Sequence, residues 1–234
     1  MSNIKLWSAR ACPFAHRTRL ALGEKQVNFE LIEIDLQNKP SWFTEVSVYG
    51  KVPALEHDGQ RFVESAIINE YLDETFPRPA LLPRDPATRA VARFWIDYAN
   101  TRFVPAWGKL LRAADQSIAA AAERELLATL DDLERGLAQH SGTGPFWFGA
   151  EPSLVDLSLY PWFERWPALE HYRGVAVPAK LHGLGRWAAA LSARDTVKAI
   201  ENPTQFYVER YARYASTLPT NGERAPAGAA SASP

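Results

Sequence analysis

The spacing of apolar positions changes character once along the chain, near residue 87. Before that point, short apolar runs are separated by turns and helical stripes. After it, strand-like runs almost vanish. Residues 4–7 read as a strand, 13–24 as a helix and 29–34 as a second strand. In that second strand Phe29, Leu31 and Glu33 alternate with Glu30, Ile32 and Ile34. Two strands flanking a helix predict a parallel βαβ unit with a right-handed crossover. Residues 38–42 form a loop that leads into a short helical piece. Residues 51–64 hold two strand-like runs around Asp58-Gly59, a tight-turn signal, and read as a hairpin. Pro53 cannot donate a ladder bond, so it belongs at an edge, a strand start or a cis turn. Ser65 is placed to cap the next helix, striped by Ile67, Ile68, Tyr71 and Leu72. The order βαβ, short helix, ββ, helix predicts a four-stranded mixed sheet of the thioredoxin-like layout.

The proline-rich stretch 76–86 breaks every period and reads as a linker. The expected organisation is a thioredoxin-like domain at 1–77, a linker at 78–86, an all-helical bundle domain at 87–216 and a disordered tail at 217–234. The fold class is therefore α/β followed by all-α. Ala90, Val91, Phe94, Trp95 and Tyr98 stripe one helix, which Pro105 should end or kink before Trp107. Leu126, Leu130, Leu133 and Leu137 mark a helix over 116–140. Ser153 and Asp156 form a capping box, with Asp in place of Glu or Gln. The helix they open, to residue 164, is so apolar that it should be the buried centre of its domain. A carboxylate three residues past a Ser cap is a folding device, and Asp156 is read as one. Tyr207, Tyr211 and Tyr214 share a face of a last helix over 205–214.

Composition narrows the functional classes. Hydrophobic residues make up 47% of the 234, enough for a full core. Basic and acidic residues balance at 26 and 27, which argues against a nucleic-acid groove. No apolar run reaches the ~20 residues of a membrane span, and the first residues lack a signal-peptide core. The histidines show no pair at metal-ligand spacing, so no metal is expected. One cysteine cannot close an internal disulfide, which reads as a cytoplasmic protein.

That cysteine is the candidate for chemistry. Pro13 suits the first turn of a helix, so Cys12 sits at the helix mouth, among free N–H groups and the positive end of the dipole. A thiol there is expected to have a pKa well below that of a free cysteine. Arg10, Arg17 and Arg19 lie nearby in sequence. The dithiol version of this layout carries Cys-x-x-Cys; here Ala15 holds the second position. Cys12 therefore needs an external thiol to resolve any mixed disulfide.

The segments 12–20, 38–40, 51–55 and 64–67 resemble the cysteine-type glutathione transferases, most like the omega class. The resemblance implies that Cys12 is catalytic and that the Val52 backbone, before a cis Pro53, binds the cysteinyl unit of glutathione. It puts Glu64 and Ser65 on the γ-glutamyl end, and Lys39 and Phe14 along the tripeptide. It extends through residues 161–165 and turns Trp162 and Arg165, three apart, toward an acceptor pocket. Tyr207 and Tyr211 would close that pocket over Cys12. Glutathione is then the co-substrate, and the acceptor a small aromatic or disulfide molecule. A homodimer is the expected assembly. A cysteine in this position favours thiol transfer, dehydroascorbate reduction or deglutathionylation over conjugation. The alternative is a non-enzymatic binding or regulatory module on the same fold. His16 departs from the family pattern, where a glutamate is common; one helical turn past Cys12, it either tunes the thiolate or caps a solvated face, and the second is the favoured reading.

Overall fold

The computed structural model describes residues 3–215. The expected tail at 217–234 lies outside the described residues. The first part of the chain runs β1 (Ile4–Ser8), α1 (Pro13–Glu24), β2 (Glu30–Glu33), α2 (Phe43–Val46), β3 (Ala54–His57), β4 (Gln60–Val63) and α3 (Ser65–Thr75). The sheet has four strands in the order β2-β1-β3-β4, with β1 parallel to β2 and the other pairs antiparallel. This is the mixed sheet of the thioredoxin-like layout. The β3–β4 turn is Asp58-Gly59, with φ of 48° and 83°. Two consecutive positive φ values suit a two-residue hairpin whose twist matches its strands. β2 is shorter than expected, but the Ile34 N–H still donates to Ser8 O at 2.7 Å. Leu6, Leu22, Leu55, Ile68 and Leu72 form one core of the sheet. Trp7, Ile34, Phe43, Val52 and Ala54 form another, against which Cys12 packs.

The second part is helical: α4 (Pro86–Tyr98), α5 (Val104–Leu111), α6 (Gln116–His140), α7 (Leu154–Glu164), α8 (Trp166–Arg173), α9 (His182–Ser192), α10 (Asp195–Lys198) and α11 (Thr204–Ala215). A π-helical turn over Ala99–Phe103 joins α4 to α5. Pro105 therefore does not end the helix. The wider turn before it absorbs the missing N–H and the ring's bulk. Among the described residues no helix is long and apolar enough to cross a membrane.

α7 is the buried centre, as its composition implied. Asp156 is fully buried and accepts from four donors: Ser153 N and Oγ at 2.7 Å each, Trp147 N at 3.0 Å and Trp187 Nε1 at 2.7 Å. Its carboxylate thus ties the helix start to the 147 loop and to α9. α1 lies between the sheet and α7. Leu22 joins the sheet core, while Leu20 and Ala21 join the helical core. The stretch after α3 is pinned too. Asp73 accepts from Leu81 N at 2.7 Å and Leu82 N at 3.1 Å, and Lys25 Nζ donates to Phe76 O, Pro79 O and Asp73.

Candidate functional site

Cys12 is the N-cap residue of α1, with φ −78° and ψ 120°, and Pro13 opens the helix. Its own N–H donates to Ala9 O at 2.9 Å. The N–H groups of Ala15 and Phe14 face the sulfur, as a helix mouth dictates. The thiol donates to Val52 O, with Sγ 3.7 Å away. Val52 is buried, and its bond to Pro53 is cis.

Two cavities meet here. The larger, about 950 Å³, is walled by Cys12, Phe14, Trp107, Trp162, Tyr211 and Tyr214, among others. The smaller, about 110 Å³, is walled by Phe14, Lys51, Val52, Glu64 and Ser65, among others. Phe14 belongs to both, and Cys12 and Val52 touch across the boundary. The structure thus gathers Cys12, Phe14, Val52, Glu64, Ser65, Trp162 and Tyr211 around one junction.

Glu64 has φ +68°, a region a non-glycine residue rarely adopts, and takes the N-cap position of α3. No side chain caps this helix, so the expected capping by Ser65 is not what forms. Ser65 is instead the first helical residue, and its Oγ lies 3.5 Å from Arg17 Nη1. Lys39 lines neither cavity. Its exposed Nζ donates to Gly50 O at 2.8 Å, beside the smaller cavity.

Arg165 and Tyr207, expected at an acceptor pocket, do not line the larger cavity. Both are buried behind it. Arg165 caps the C-terminus of α7 and turns inward, where Nη1 donates to Pro161 O at 2.8 Å and to His16 Nδ1 at 3.0 Å. Nε and Nη2 each approach Ala11 O at 3.4 Å, and the guanidinium lies 4.4 Å from the Tyr207 ring centre. The Tyr207 hydroxyl donates to Glu164 and accepts from Asn202 Nδ2 at 2.9 Å. A buried polar network therefore stands directly behind the Cys12 loop. Arg19 joins it, donating from Nη2 to Arg10 O at 3.2 Å.

His16 belongs to this network rather than to a solvated face, because α7 covers the side of α1 that carries it. It is fully buried, with Nε2 3.7 Å from Glu164 Oε2. Burial first, then the charges of Arg165 and Arg19, hold it well below the ordinary imidazole pKa. It is therefore neutral and accepts from Arg165.

The Cys12 thiol also differs from expectation. The helix-mouth donors are present and, with Arg165 and Arg19, pull its pKa down. Burial against the Trp7–Ile34–Val52 cluster outweighs them and pushes it up. The bond to Val52 O acts in the same direction, since it holds the protonated form.

Arg17, one of the arginines near Cys12 in sequence, organises the ring wall of the site. It is 1% exposed, and its guanidinium sits 5.1 Å from the Phe14 ring centre and 4.5 Å from that of Trp162. It donates to Ser158 O at 2.8 Å and to Asn100 Oδ1 at 2.6 Å. Burial draws it down to about 9, which leaves it a cation at neutral pH. The signal was its spacing from Phe14, three residues along one helix face.

A thioredoxin-like sheet that places a helix-mouth cysteine against a helical domain defines the glutathione transferase class. Residues 6–80 match the family description "Glutathione S-transferase, N-terminal domain", and residues 91–192 match "Glutathione S-transferase, C-terminal domain". The chain belongs to the glutathione S-transferase family, and its relatives include members of the omega class that its motifs resemble. It is 35% identical over 198 residues to glutathione S-transferase omega-1 of Sus scrofa, covering 84% of this chain and 80% of that one. The solved structure of glutathione transferase Omega 3C from Trametes versicolor superposes with a TM-score of 0.81 at 30% identity, covering 91% and 90%. A dehydroascorbate reductase from Chlamydomonas reinhardtii superposes with a TM-score of 0.77 at 26% identity, covering 91% and 98%.

Proposed function

We propose that the protein is a glutathione-dependent thioltransferase or reductase in which Cys12 forms a mixed disulfide with glutathione. The observation that carries this is the position of Sγ at the junction of a small polar cavity and a large aromatic one. The γ-glutamyl and cysteinyl units of glutathione suit the small side. Val52 offers backbone groups to its cysteinyl unit, as in strand addition. The uncapped N-terminus of α3 and the Ser65 hydroxyl suit the γ-glutamyl carboxylate, and Glu64 suits its ammonium. Lys39 stands near the other end, within reach of a glycyl carboxylate.

The steps balance without a metal or a second cysteine. The Cys12 thiolate attacks the sulfur of a glutathionyl acceptor. The bond from that sulfur to the acceptor breaks, the acceptor takes the electron pair and a proton, and the Cys12–glutathione disulfide forms. A second glutathione thiolate attacks that disulfide, releasing oxidised glutathione and regenerating the Cys12 thiolate. Trp162 and Tyr211 wall the acceptor side. With dehydroascorbate the Cys12 thiolate adds to a carbonyl carbon. A first glutathione thiolate attacks the Cys12 sulfur, and the carbon–sulfur bond breaks with its electron pair and two protons passing to ascorbate. A second glutathione resolves the Cys12–glutathione disulfide. The dehydroascorbate reductase relative supports including that substrate. A lone unpaired thiol suits a reducing, cytoplasmic compartment.

A homodimer completes the reading. Ile67 on α3 and Phe94 on α4 are 62% and 57% exposed, an arrangement that suits burial against a second copy. Light scattering at micromolar concentration checks it.

The deciding experiment is turnover of hydroxyethyl disulfide with glutathione, followed by mass spectrometry of Cys12. The expected result is a glutathione adduct on Cys12 and no activity in Cys12→Ala. A Cys12→Ala variant that keeps more than a tenth of the rate refutes the role of the thiol. A chain that binds glutathione without turnover is a binding module instead.

A further inference from the structure

The acceptor cavity carries more cation than its own residues use. Arg112 at the end of α5 and Arg210 and Arg213 on α11 line it. Among the described residues none of the three has an ion-pair partner. Two carboxylates, Glu33 and Asp35, also line the cavity, but each is engaged by backbone on its own side. Glu33 accepts from Arg10 N at 2.5 Å, and Asp35 accepts from Gln37 N at 2.9 Å. Arg210 and Arg213 rest on aromatic faces instead, as does Arg10. Arg10 and Arg210 lie 4.8 and 5.6 Å from the centre of the Phe206 ring, and Arg213 lies 4.6 Å from that of Tyr214. Arg112 lies back over Gly108, one turn earlier. A Cβ at Gly108 would meet Arg112 Nη2 at 2.6 Å, so the missing side chain gives this guanidinium its place against the wall.

We propose that the acceptor is an aromatic molecule bearing an acid group, a carboxylate, sulfonate or phosphate, with its ring against Trp162 and Tyr211 and its anion on Arg112 and Arg210. The inference rests on reading the large cavity as the acceptor side of the site. A guanidinium fork matches the planar or tetrahedral oxygens of such groups, and a partly enclosed, aromatic-walled cavity strengthens the pairing. A neutral aromatic gains the stacking alone. An aliphatic anion gains the charge and loses the walls.

Two measurements test it, one independent of catalysis. In the first, 2-naphthoate and its neutral counterpart 2-naphthalenemethanol are titrated against the full chain, read by quenching of tryptophan fluorescence. The naphthoate is expected to bind about tenfold tighter, the effect of one charge-assisted bond. Arg112→Ala and Arg210→Ala should each erase most of that preference, the lysine variants should restore part of it, and Gly108→Ala should weaken it by displacing Arg112. Equal affinity for the two probes, or a preference unmoved by all of these variants, overturns the proposal. In the second, S-phenacylglutathione and its 4-carboxy derivative are compared as substrates. The ratio of their kcat/KM values should favour the acid and fall in Arg112→Ala. Turnover of both at equal rates refutes the inference and leaves the thioltransferase reading standing. Arginine-dependent naphthoate binding with no turnover of either conjugate supports the anion site, and the hydroxyethyl disulfide assay then decides separately whether the thioltransferase reading stands.

Discussion

Arg165 separates two pictures of this site, and Arg165→Met tests them. If the side chain faced the acceptor, its loss would raise the KM for the acceptor and leave the fold alone. In the structure it clamps the loop behind Cys12. Methionine keeps the stem and removes the donors to Pro161 O, His16 Nδ1 and Ala11 O. It also removes a cation that favours the charged form of Glu164, a largely buried carboxylate that burial already pushes up. The two contacts at 3.4 Å are weak, whereas those at 2.8 and 3.0 Å are full charge-assisted bonds in a buried setting. Removing one member of a buried, hydrogen-bonded charge network costs about 3–5 kcal/mol. In a fold of this size each kcal/mol lowers Tm by about 2–4 °C, so a fall of roughly 6–20 °C is expected.

The thiol should change as well. Arg165 is one of the charges that favour the Cys12 thiolate, so iodoacetamide should alkylate the variant more slowly at neutral pH. The acceptor KM should move little in the molecules that remain folded. Trp162→Ala is the contrasting variant, because its indole does line the cavity. A wild-type melting curve and alkylation rate in Arg165→Met, with only KM raised, would refute the clamp and return Arg165 to the acceptor wall.

Three further outcomes follow from the same geometry. In the free protein, the alkylation rate of Cys12 against pH should inflect above the ~8.5 of a free thiol, and an inflection below neutrality would show that the helix-mouth donors outweigh burial. His16 is held well below its ordinary pKa in the folded state, so the unfolded chain binds the extra proton first. The stability it contributes is complete above pH ~6.5 and is lost as pH falls, by up to about 1.4 kcal/mol per pH unit; a wild type that tracks His16→Gln in Tm from pH 7 to 5 would contradict this. Ser65→Ala on a Cys12→Ala background should weaken glutathione binding by roughly tenfold in calorimetric titration, the loss of one bond to a charged group, and unchanged affinity would move the γ-glutamyl site elsewhere.

Most of the architecture was legible because it rests on short-range signals. Period-two runs and Asp58-Gly59 specify the hairpin, leucines at helical spacing specify α6, and Ser153 with Asp156 specifies the start of α7. The cysteine, the cis Val52–Pro53 bond and Glu64-Ser65 came through as a linked set of motifs. What the pattern did not carry is the direction of polar side chains on elements covered from every side. α1 bears His16, read as the cap of a solvated face, and Arg17 and Arg19, whose direction the sequence left open; α1 lies between the sheet and α7 and all three are buried. α7 is apolar all round, so its period names no face. Trp162 and Arg165 stand three apart, but α7 ends at Arg165, with φ −90° and ψ −3°, and the helical spacing stops there.

The buried arginines have a physical logic in common. Arg17, Arg19 and Arg165 are cations buried where a neutral surface would be cheaper to fold. Each is matched to backbone carbonyls rather than to one carboxylate: Arg17 to Ser158 O, Arg19 to Arg10 O, Arg165 to Ala11 O and Pro161 O. Two of these carbonyls, at 10 and 11, belong to the loop that delivers Cys12. A loop joining a strand to a helix leaves carbonyls without ladder or helical partners, and burying them unpaired is costly. The arginines satisfy those carbonyls and at the same time place positive charge behind the sulfur. The resting thiol is protonated by burial, but the field it meets on losing its proton is already in position. The network therefore acts on the thiolate more than on the thiol, a bias suited to the proposed cycle, in which the sulfur leaves as an anion each time a mixed disulfide is resolved.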